Sequence, residues 1–501
     1  MSGIEDTFAE HETSALTPMG DLLAFHAARA VDKPAITFGD TTVSYADLDA
    51  RANRRAHHFA SLGVGEGDTV TIAMHKCIEI YEIVFALWKL GATPNMVAAK
   101  LPVAELRAIV ELAQPRLVVG PQSEAVPGHE VLPLDALDAS DAFPDEALPT
   151  RISKNWKIMT SGGSTGRPKL IVDRRVGTHD PSFPVLLQTC DDVLLNPGPL
   201  YHNTPFSMVM HSLFTGGHVI ETERFDPLTT LQLIERHRVG WISLVPTMMH
   251  RIWRLPTEQR LAYDVSSLRV VFHNAAPCPV WLKEAWIEWL GADKIIELYG
   301  GTEGQGFTII TGSEWLKHKG SVGRVAPGSR MRVLNDAGEE CEPGEIGGIY
   351  FLPEAGRGSS YEYVGAEAQA AGEWESLGDL GYVDADGYLY LADRRTDLII
   401  SGGANIYPAE VEAALDAHPA VLSSIVVGLP DDDLGQRTHA IVQLGEEKAS
   451  EDDLRAFLAE RLARYKQPRS YEFTTEYLRD DAGKARRSRL AAERANGEQA
   501  R

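Results

Sequence analysis

The sequence predicts an α/β protein: a large N-terminal domain of helix-covered, largely parallel sheets, followed by a small C-terminal α+β domain. Three observations carry this expectation. Short apolar runs that end in Gly, Pro, Asn or small residues alternate with stretches of helical spacing. At 501 residues the chain exceeds what one hydrophobic core usually supports. The strand–helix pattern then restarts near residue 396, after "ADRRTD".

"YADLDARANRRAHHFASLG" has helical spacing and stops at a glycine. "DTVTIAMH" reads as a buried strand, and "IEIYEIVFALWKLGATPNMV" as a helix, a glycine stop and a further strand. "PRLVVG", "VLLNPGPLY", "HVIET", "WISLVP" and "LRVVFHNAA" read as buried strands whose ends carry functional loops, as in parallel sheets covered by helices. Beyond residue 396 come strand-like "TDLIISGG", helical "PAEVEAALDAH", strands "LSSIVVGLP" and "RTHAIVQLG", and helical "SEDDLRAFLAERLARY". This unit of about a hundred residues is the size of an independent domain. The expected division is therefore 1–395 and 396–501.

Composition narrows the function classes. With 48 basic and 71 acidic side chains the formal charge is −23, which argues against a nucleic-acid partner or an anionic membrane surface. Cys77, Cys190, Cys278 and Cys341 form no C-x-x-C pair, which disfavours a structural zinc site and suggests free thiols in a reducing cytoplasm. The polar start "MSGIEDTFAEHETSALT" lacks a signal-peptide pattern, and no apolar run approaches the ~20 residues needed to cross a bilayer. A soluble, cytoplasmic protein is expected. An acidic chain with a large domain is also compatible with a homodimer.

"MTSGGSTGRPKLIVD" is the most informative stretch. A glycine-rich turn lets backbone N–H groups converge on an anion, here through Gly162, Gly163 and Gly166, while Thr160, Ser161, Ser164 and Thr165 add hydroxyls and Lys169 adds a point charge. Polyphosphate is the natural ligand. Arg167 and Pro168 separate the last glycine from the lysine, so this is not the common nucleoside-triphosphate loop. "IIELYGGTEGQG" gathers Tyr299, Gly300, Gly301, Thr302 and Glu303 at a strand end. "ESLGDLGYVDADGYLYLADRRTD" places Asp379 after a glycine and Arg394 fifteen positions later, a carboxylate and a guanidinium suited to a ribose and its phosphates. Gly402 and Gly403 open the small domain, and "RDDAGKARRSRL" presents Lys484 with little apolar surface around it.

Together these stretches identify a resemblance. "TSGGSTGRPKL", "GPLYHN", "ELYGGTEG", "LGDLGYVDADGYLYLADRRTDLIISGGANIYPAEVE", "LARYKQP" and "GKARRSRL" resemble, in order and approximate spacing, the motifs of the acyl-adenylate-forming superfamily of acyl- and aryl-CoA synthetases, luciferases and adenylation domains. The resemblance spans residues 20 to 490. It implies ATP, Mg²⁺ and coenzyme A as cofactors and a small-molecule carboxylic acid as partner. The Ser/Thr/Gly loop would close over the β- and γ-phosphates, Thr302 would meet the α-phosphate, and Glu303 would ligate Mg²⁺. Tyr299 would lie against adenine, Asp379 would bind the ribose hydroxyls, and Arg394 would assist there. Lys484 would bridge the attacking carboxylate and the α-phosphate. After rotation of the small domain, Gly403 would line a pantetheine tunnel.

The chain departs from the pattern at two positions: the hinge residue aligns with Thr396, and Asp393 replaces the glycine before the ribose-binding arginine. The resemblance places His202 at the carboxylate entrance as a gate. Small residues at Ala275, Ala276, Gly300 and Gly301 suggest a roomy floor for an aromatic, polycyclic or otherwise bulky acid. An acid–CoA ligase is the leading expectation. The alternatives are an adenylating enzyme with another acceptor (a carrier protein's phosphopantetheine thiol, or nitrite activated for diazotisation of an aromatic amine) and a non-catalytic relative that holds a nucleotide, against which intact Lys484, Glu303 and Asp379 count.

Overall fold

A computed structural model describes residues 16–120, 125–162, 168–394, 397–431, 433–445, 447–480 and 483–499. Gly163, Ser164, Thr165, Gly166 and Thr396 lie outside the described residues.

One 14-stranded sheet dominates the described chain. Pro34–Phe38, His218–Glu221, Val193–Asn196, Trp241–Leu244, Val270–His273 and Ile295–Gly300 are neighbours in that order, all parallel. Their near-continuous apolar runs fit a sheet covered on both faces; Val270–His273 is buried at every residue. From Ile295–Gly300 outward, the partners Phe307–Thr311, Ser321–Val325, Leu389–Arg394, Trp374–Val383, Gly347–Pro353 and Ser329–Leu334 are antiparallel. The expectation of largely parallel sheets is thus corrected for this half. Trp374–Val383 and Leu389–Arg394, for example, are joined by a tight turn at Asp384–Gly387, whereas a parallel pair needs a crossover of a dozen or more residues.

A second, seven-stranded sheet combines parallel Leu117–Gly120, Thr69–Ile72 and Thr93–Met96 with the hairpin Ile158–Gly162 and Pro168–Asp173. Tyr361–Val364 joins that hairpin from far along the chain, pairing Tyr363 with Ile171. The helix Glu79–Lys89, buried from Ile80 to Lys89, belongs to the core shared by both sheets, and Trp88 Nε1 donates to the Trp156 carbonyl at 2.7 Å. A third sheet, Ile399–Ser401, Ala404–Ile406, Val421–Asp431, Gly435–Leu444 and Ser470–Thr474, has its own apolar core with the helices Pro408–Asp416 and Glu451–Ala459. No helix of the described residues is long and apolar enough to cross a membrane, and all four cysteines are unpaired.

Candidate active site

The C-terminal ends of the parallel strands open on a continuous cleft of about 2660 Å³. Small-molecule sites usually occupy some 300–1,000 Å³, so this one has room for more than one ligand at a time. At the end of Ile295–Gly300 the Tyr299 hydroxyl donates to Asp379 Oδ2 at 2.8 Å. Asp379 is 9% exposed and stands opposite Arg394 in the register of Trp374–Val383 and Leu389–Arg394. The aromatic residue, the carboxylate and the arginine position expected at a nucleoside are therefore neighbours in two paired strands and one strand end.

Glu303 lies in the cleft beside Lys169 of the strand Pro168–Asp173. Its Oε1 accepts from the Tyr363 hydroxyl and lies 3.5 Å from Lys169 Nζ, which also sits 3.7 Å above the Tyr363 ring. The β-hairpin therefore supplies the cation, and the strand added from 361–364 supplies its platform. The loose Lys169–Glu303 pair fits a role shared with Mg²⁺ and polyphosphate, since hard cations prefer carboxylate and phosphate oxygen. Thr160, on the preceding strand, has a buried Oγ1 with no partner among the described residues, a donor suited to a phosphate oxygen. Gly301 explains the second glycine of the motif: a Cβ there would come within 2.5 Å of Glu303 Oε2 and 2.7 Å of Leu377. A Cβ at Gly300 would meet Phe307 at 2.9 Å. Both glycines make room for protein atoms in this arrangement. Thr302 lies between them and Glu303 on the cleft wall.

His202 precedes the helix Asn203–Thr215, which ends at left-handed Gly216. Burial, reinforced by the charge of Lys484, lowers its pKa to about 3, so the imidazole is neutral at physiological pH. Beneath it, Lys76 Nζ donates to the carbonyls of Asn196 and Gly198 at 3.0 and 2.9 Å and pairs with Glu221 at 2.7 Å. This buried cation pins the "NPGPLYHN" loop. At the next strand end Asn274 Nδ2 donates to Thr204 Oγ1 at 2.6 Å. Ala275 follows with φ +71°, a left-handed conformation that costs a non-glycine residue roughly 1–2 kcal/mol. It presents Ala275 and Ala276 to the cleft.

Lys484 reaches the same cleft from the C-terminal sheet. Gly483, at φ +74°, packs so closely on the large sheet's side that a Cβ would lie 3.0 Å from Thr247 Oγ1. The turn is held by Lys484 N donating to Asp480 Oδ1 at 2.9 Å and Asp480 N donating to the Lys484 carbonyl at 3.0 Å. On either side, Arg479 and Arg487 grip Glu412 at 2.8 and 2.7 Å, and Arg487 also holds Asp397 at 2.9 Å. Lys484 is thus a positioned side chain, presented by a braced turn. Gly403 also has positive φ, +81°, but a Cβ there would meet nothing within 4 Å, and it does not line the cleft.

The structure therefore brings together Thr160, Lys169, His202, Ala275, Ala276, Tyr299, Gly300, Gly301, Thr302, Glu303, Asp379 and Lys484, and places Gly403 elsewhere. Ser161 and Gly162 fall within the strand Ile158–Gly162, at the edge of the described backbone. Tyr363, Lys76 and Glu221 carry no local sequence signal, because each meets its partner only through the sheet topology.

A helix-covered large sheet, a smaller C-terminal sheet whose following turn presents a lysine to the cleft, and a cradle of aromatic ring, carboxylate and cation at the strand ends define the site of a nucleotide-using enzyme. The chain belongs to the AMP-binding enzyme family: the family model matches residues 23–353, and that of the AMP-binding enzyme C-terminal domain matches 410–484. It is 33% identical over 464 residues to a feruloyl-CoA synthase of Amycolatopsis sp, covering 90% of this chain and 94% of that one. Among solved structures it is similar to the o-succinylbenzoate CoA synthetase (MenE) of Bacillus subtilis in complex with the acyl-adenylate intermediate OSB-AMP, with a TM-score of 0.80 and 28% identity over 95% of this chain and 98% of that one. The same synthetase in complex with ATP and magnesium ion gives a TM-score of 0.79 at 27% identity, with 95% and 99% covered.

Proposed function

We propose that the chain is an ATP-dependent carboxylic acid–CoA ligase that works through an acyl-adenylate, on an aromatic or otherwise bulky acid. The observation that carries this reading is the convergence of Lys484, His202, Glu303 and Asp379, from separate parts of the fold, on one cleft. The similarity to a feruloyl-CoA synthase and to a synthetase holding its acyl-adenylate supports it.

In the first step a carboxylate oxygen attacks the α-phosphorus of ATP; the new O–P bond forms as the bond to pyrophosphate breaks. Lys484 lies between two anions that repel as they approach, so it stabilises the transition state more than the separated reactants. Glu303 would hold Mg²⁺, which neutralises phosphate charge when bound. Asp379 and Tyr299 orient the nucleoside, and neutral His202 closes the acid side without adding charge. In the second step a thiol displaces AMP and forms a thioester. Gly403 is the proposed lining of the thiol's approach after the C-terminal domain, 396–501, has turned against 1–395.

The test is pyrophosphate release with ATP and Mg²⁺ across a panel of carboxylic acids plus nitrite, with and without CoA, and products identified by mass. Acid-dependent formation of AMP and an acyl-CoA supports the ligase. Acid- or nitrite-dependent release indifferent to CoA moves the acceptor to a carrier-protein thiol or an aromatic amine.

A further inference from the structure

Beyond His202 the cleft continues along one face of the helix Asn203–Thr215. Thr204, Ser207, Met208 and His211 fall at i, i+3, i+4 and i+7, a single helical stripe, and all four line the cleft. Thr204 marks the reacting end, since it is bonded to Asn274 beside Ala275. His211 is seven residues further on, which at 1.5 Å per residue is about 10 Å away. The helix thus acts as a ruler for the bound acid.

The far end is charged, which is unusual for the floor of a pocket meant for a bulky apolar acid. Arg175 lines it, with its side chain 61% exposed. Its Nε and Nη2 donate to the two oxygens of Asp173 at 3.0 and 2.6 Å, leaving Nη1 without an acceptor among the described residues. Asp173 is not Arg175's counter-ion alone. Lys157, fully buried behind it and outside the cleft lining, pairs with the same carboxylate at 2.9 Å. Burial pushes the Asp173 carboxyl up, but Arg175 and Lys157 outweigh it and hold it ionised. Two cations therefore share one anion, and the surplus positive charge is the one that faces the cleft. The nearby Asp180 is engaged by the Ser182 N–H and hydroxyl at 2.9 and 2.6 Å and does not line the cleft.

Two histidines complete this end. His179 and His211, each 9% exposed, have ring centroids 5.2 Å apart, and His179 Nε2 and His211 Nδ1 have no partner among the described residues. Burial keeps both neutral, with Arg175 adding to the effect. The ring N–H of His179 is taken by the Phe183 backbone, which leaves its Nε2 as an acceptor, whereas the tautomer of neutral His211 is free to put a donor N–H on Nδ1. Unpartnered buried polar atoms beside a guanidinium that shares its Asp173 carboxylate with Lys157 are costly unless a ligand satisfies them.

We propose that the acid activated here carries a second anionic group, a carboxylate in the simplest case, about 10 Å from the reacting carboxylate, and that Arg175 binds it with neutral His211 as a hydrogen-bond donor beside it. This rests on the ligase reading and specifies its substrate class. A guanidinium recognises a carboxylate through its planar fork, and a charge-assisted pair of this kind is stronger than a neutral one.

The test compares three aromatic acids of one length, bearing at the far end a carboxylate, a hydroxyl or hydrogen, by kcat/KM for acid-dependent pyrophosphate release. The expected order favours the distal carboxylate by about tenfold or more over the unsubstituted acid. In Arg175→Met that ratio falls towards one; in Arg175→Lys, which keeps the charge, it is partly retained. His211→Phe lowers it as well. A distal carboxylate used no better than hydrogen or hydroxyl overturns the inference while leaving the ligase standing. So does an Arg175→Met variant that slows all three acids alike with the ratio intact. Absence of ATP turnover with any acid overturns this inference and the ligase reading together.

Discussion

Arg254, on the large sheet's side, donates through Nη2 to the Val421 carbonyl of the C-terminal sheet at 2.5 Å. The same guanidinium donates to the carbonyls of Pro419 and His418, just past the C-terminal end of the helix Pro408–Asp416, where a cation is favoured by the helix dipole. Arg254 ends the helix Pro246–Trp253, whose first turn contains Thr247, the residue that receives Gly483. One short helix therefore grips the C-terminal domain at the point where Lys484 enters the cleft.

Arg254→Ala is accordingly expected to slow acid-dependent pyrophosphate release by on the order of tenfold, since it removes charge-assisted hydrogen bonds that hold the C-terminal sheet where Lys484 enters the cleft. Thioester formation from supplied acyl-adenylate should be unaffected or faster. Single-turnover rates of the two half-reactions check this, and equal losses in both would sink the clasp.

Lys484→Ala should cost adenylation roughly 10²–10³-fold, the range seen when a preorganised group aimed at developing charge is removed. The variant should still convert supplied acyl-adenylate and CoA to thioester. Gly403→Leu should show the reverse pattern. Loss of the same half-reaction in both variants would contradict a two-conformation cycle.

Gly301→Ala should reduce adenylation with little change in nucleoside affinity. The added methyl cannot coexist with Glu303 Oε2 at 2.5 Å, so the carboxylate must turn away from its place beside Lys169. A rise in the Mg²⁺ concentration needed for half-maximal rate is the expected signature. Wild-type Mg²⁺ dependence in this variant would show that Glu303 does not hold the ion.

Stability should fall as pH drops below the ordinary histidine range. Burial lowers His179 and His250 to about 4, in His179 against the opposing charge of Asp180, and pushes His211 and His273 well below the ordinary value. Between about 6.5 and 4 the unfolded chain binds protons that the folded chain does not, so unfolding becomes easier by up to about 1.4 kcal/mol per pH unit for each such histidine. Thermal midpoints at pH 7.5, 6.0 and 5.0 should decrease monotonically. A flat or rising series would mean these rings are charged in the folded state.

Much of this site was legible in the chain because its chemistry sits on local motifs. Tyr299, Gly300, Gly301, Thr302 and Glu303 are consecutive, and a strand end delivers them together whatever the rest does. Asp379 and Arg394, fifteen apart, are brought face to face by a hairpin. What stayed hidden depends on distant pairing. Tyr363 meets Glu303 because Tyr361–Val364 is added to a hairpin nearly two hundred residues earlier, and Arg254 meets Val421 only across the domain contact. The second glycine of "YGGTE" suggested space for an acid, but the void at Gly301 is filled by Glu303 and Leu377. The antiparallel half of the large sheet was also missed, since periodicity reports burial and not strand direction.

The most direct measurement is a rapid acid quench of the protein mixed with ATP, Mg²⁺ and a turned-over carboxylic acid in the absence of CoA, with mass analysis of what the protein holds. The expected result is one equivalent of acyl-AMP with pyrophosphate released, chased to acyl-CoA and AMP when CoA is added. ADP with an acyl-phosphate, or no acyl-nucleotide under conditions that support turnover, would contradict it.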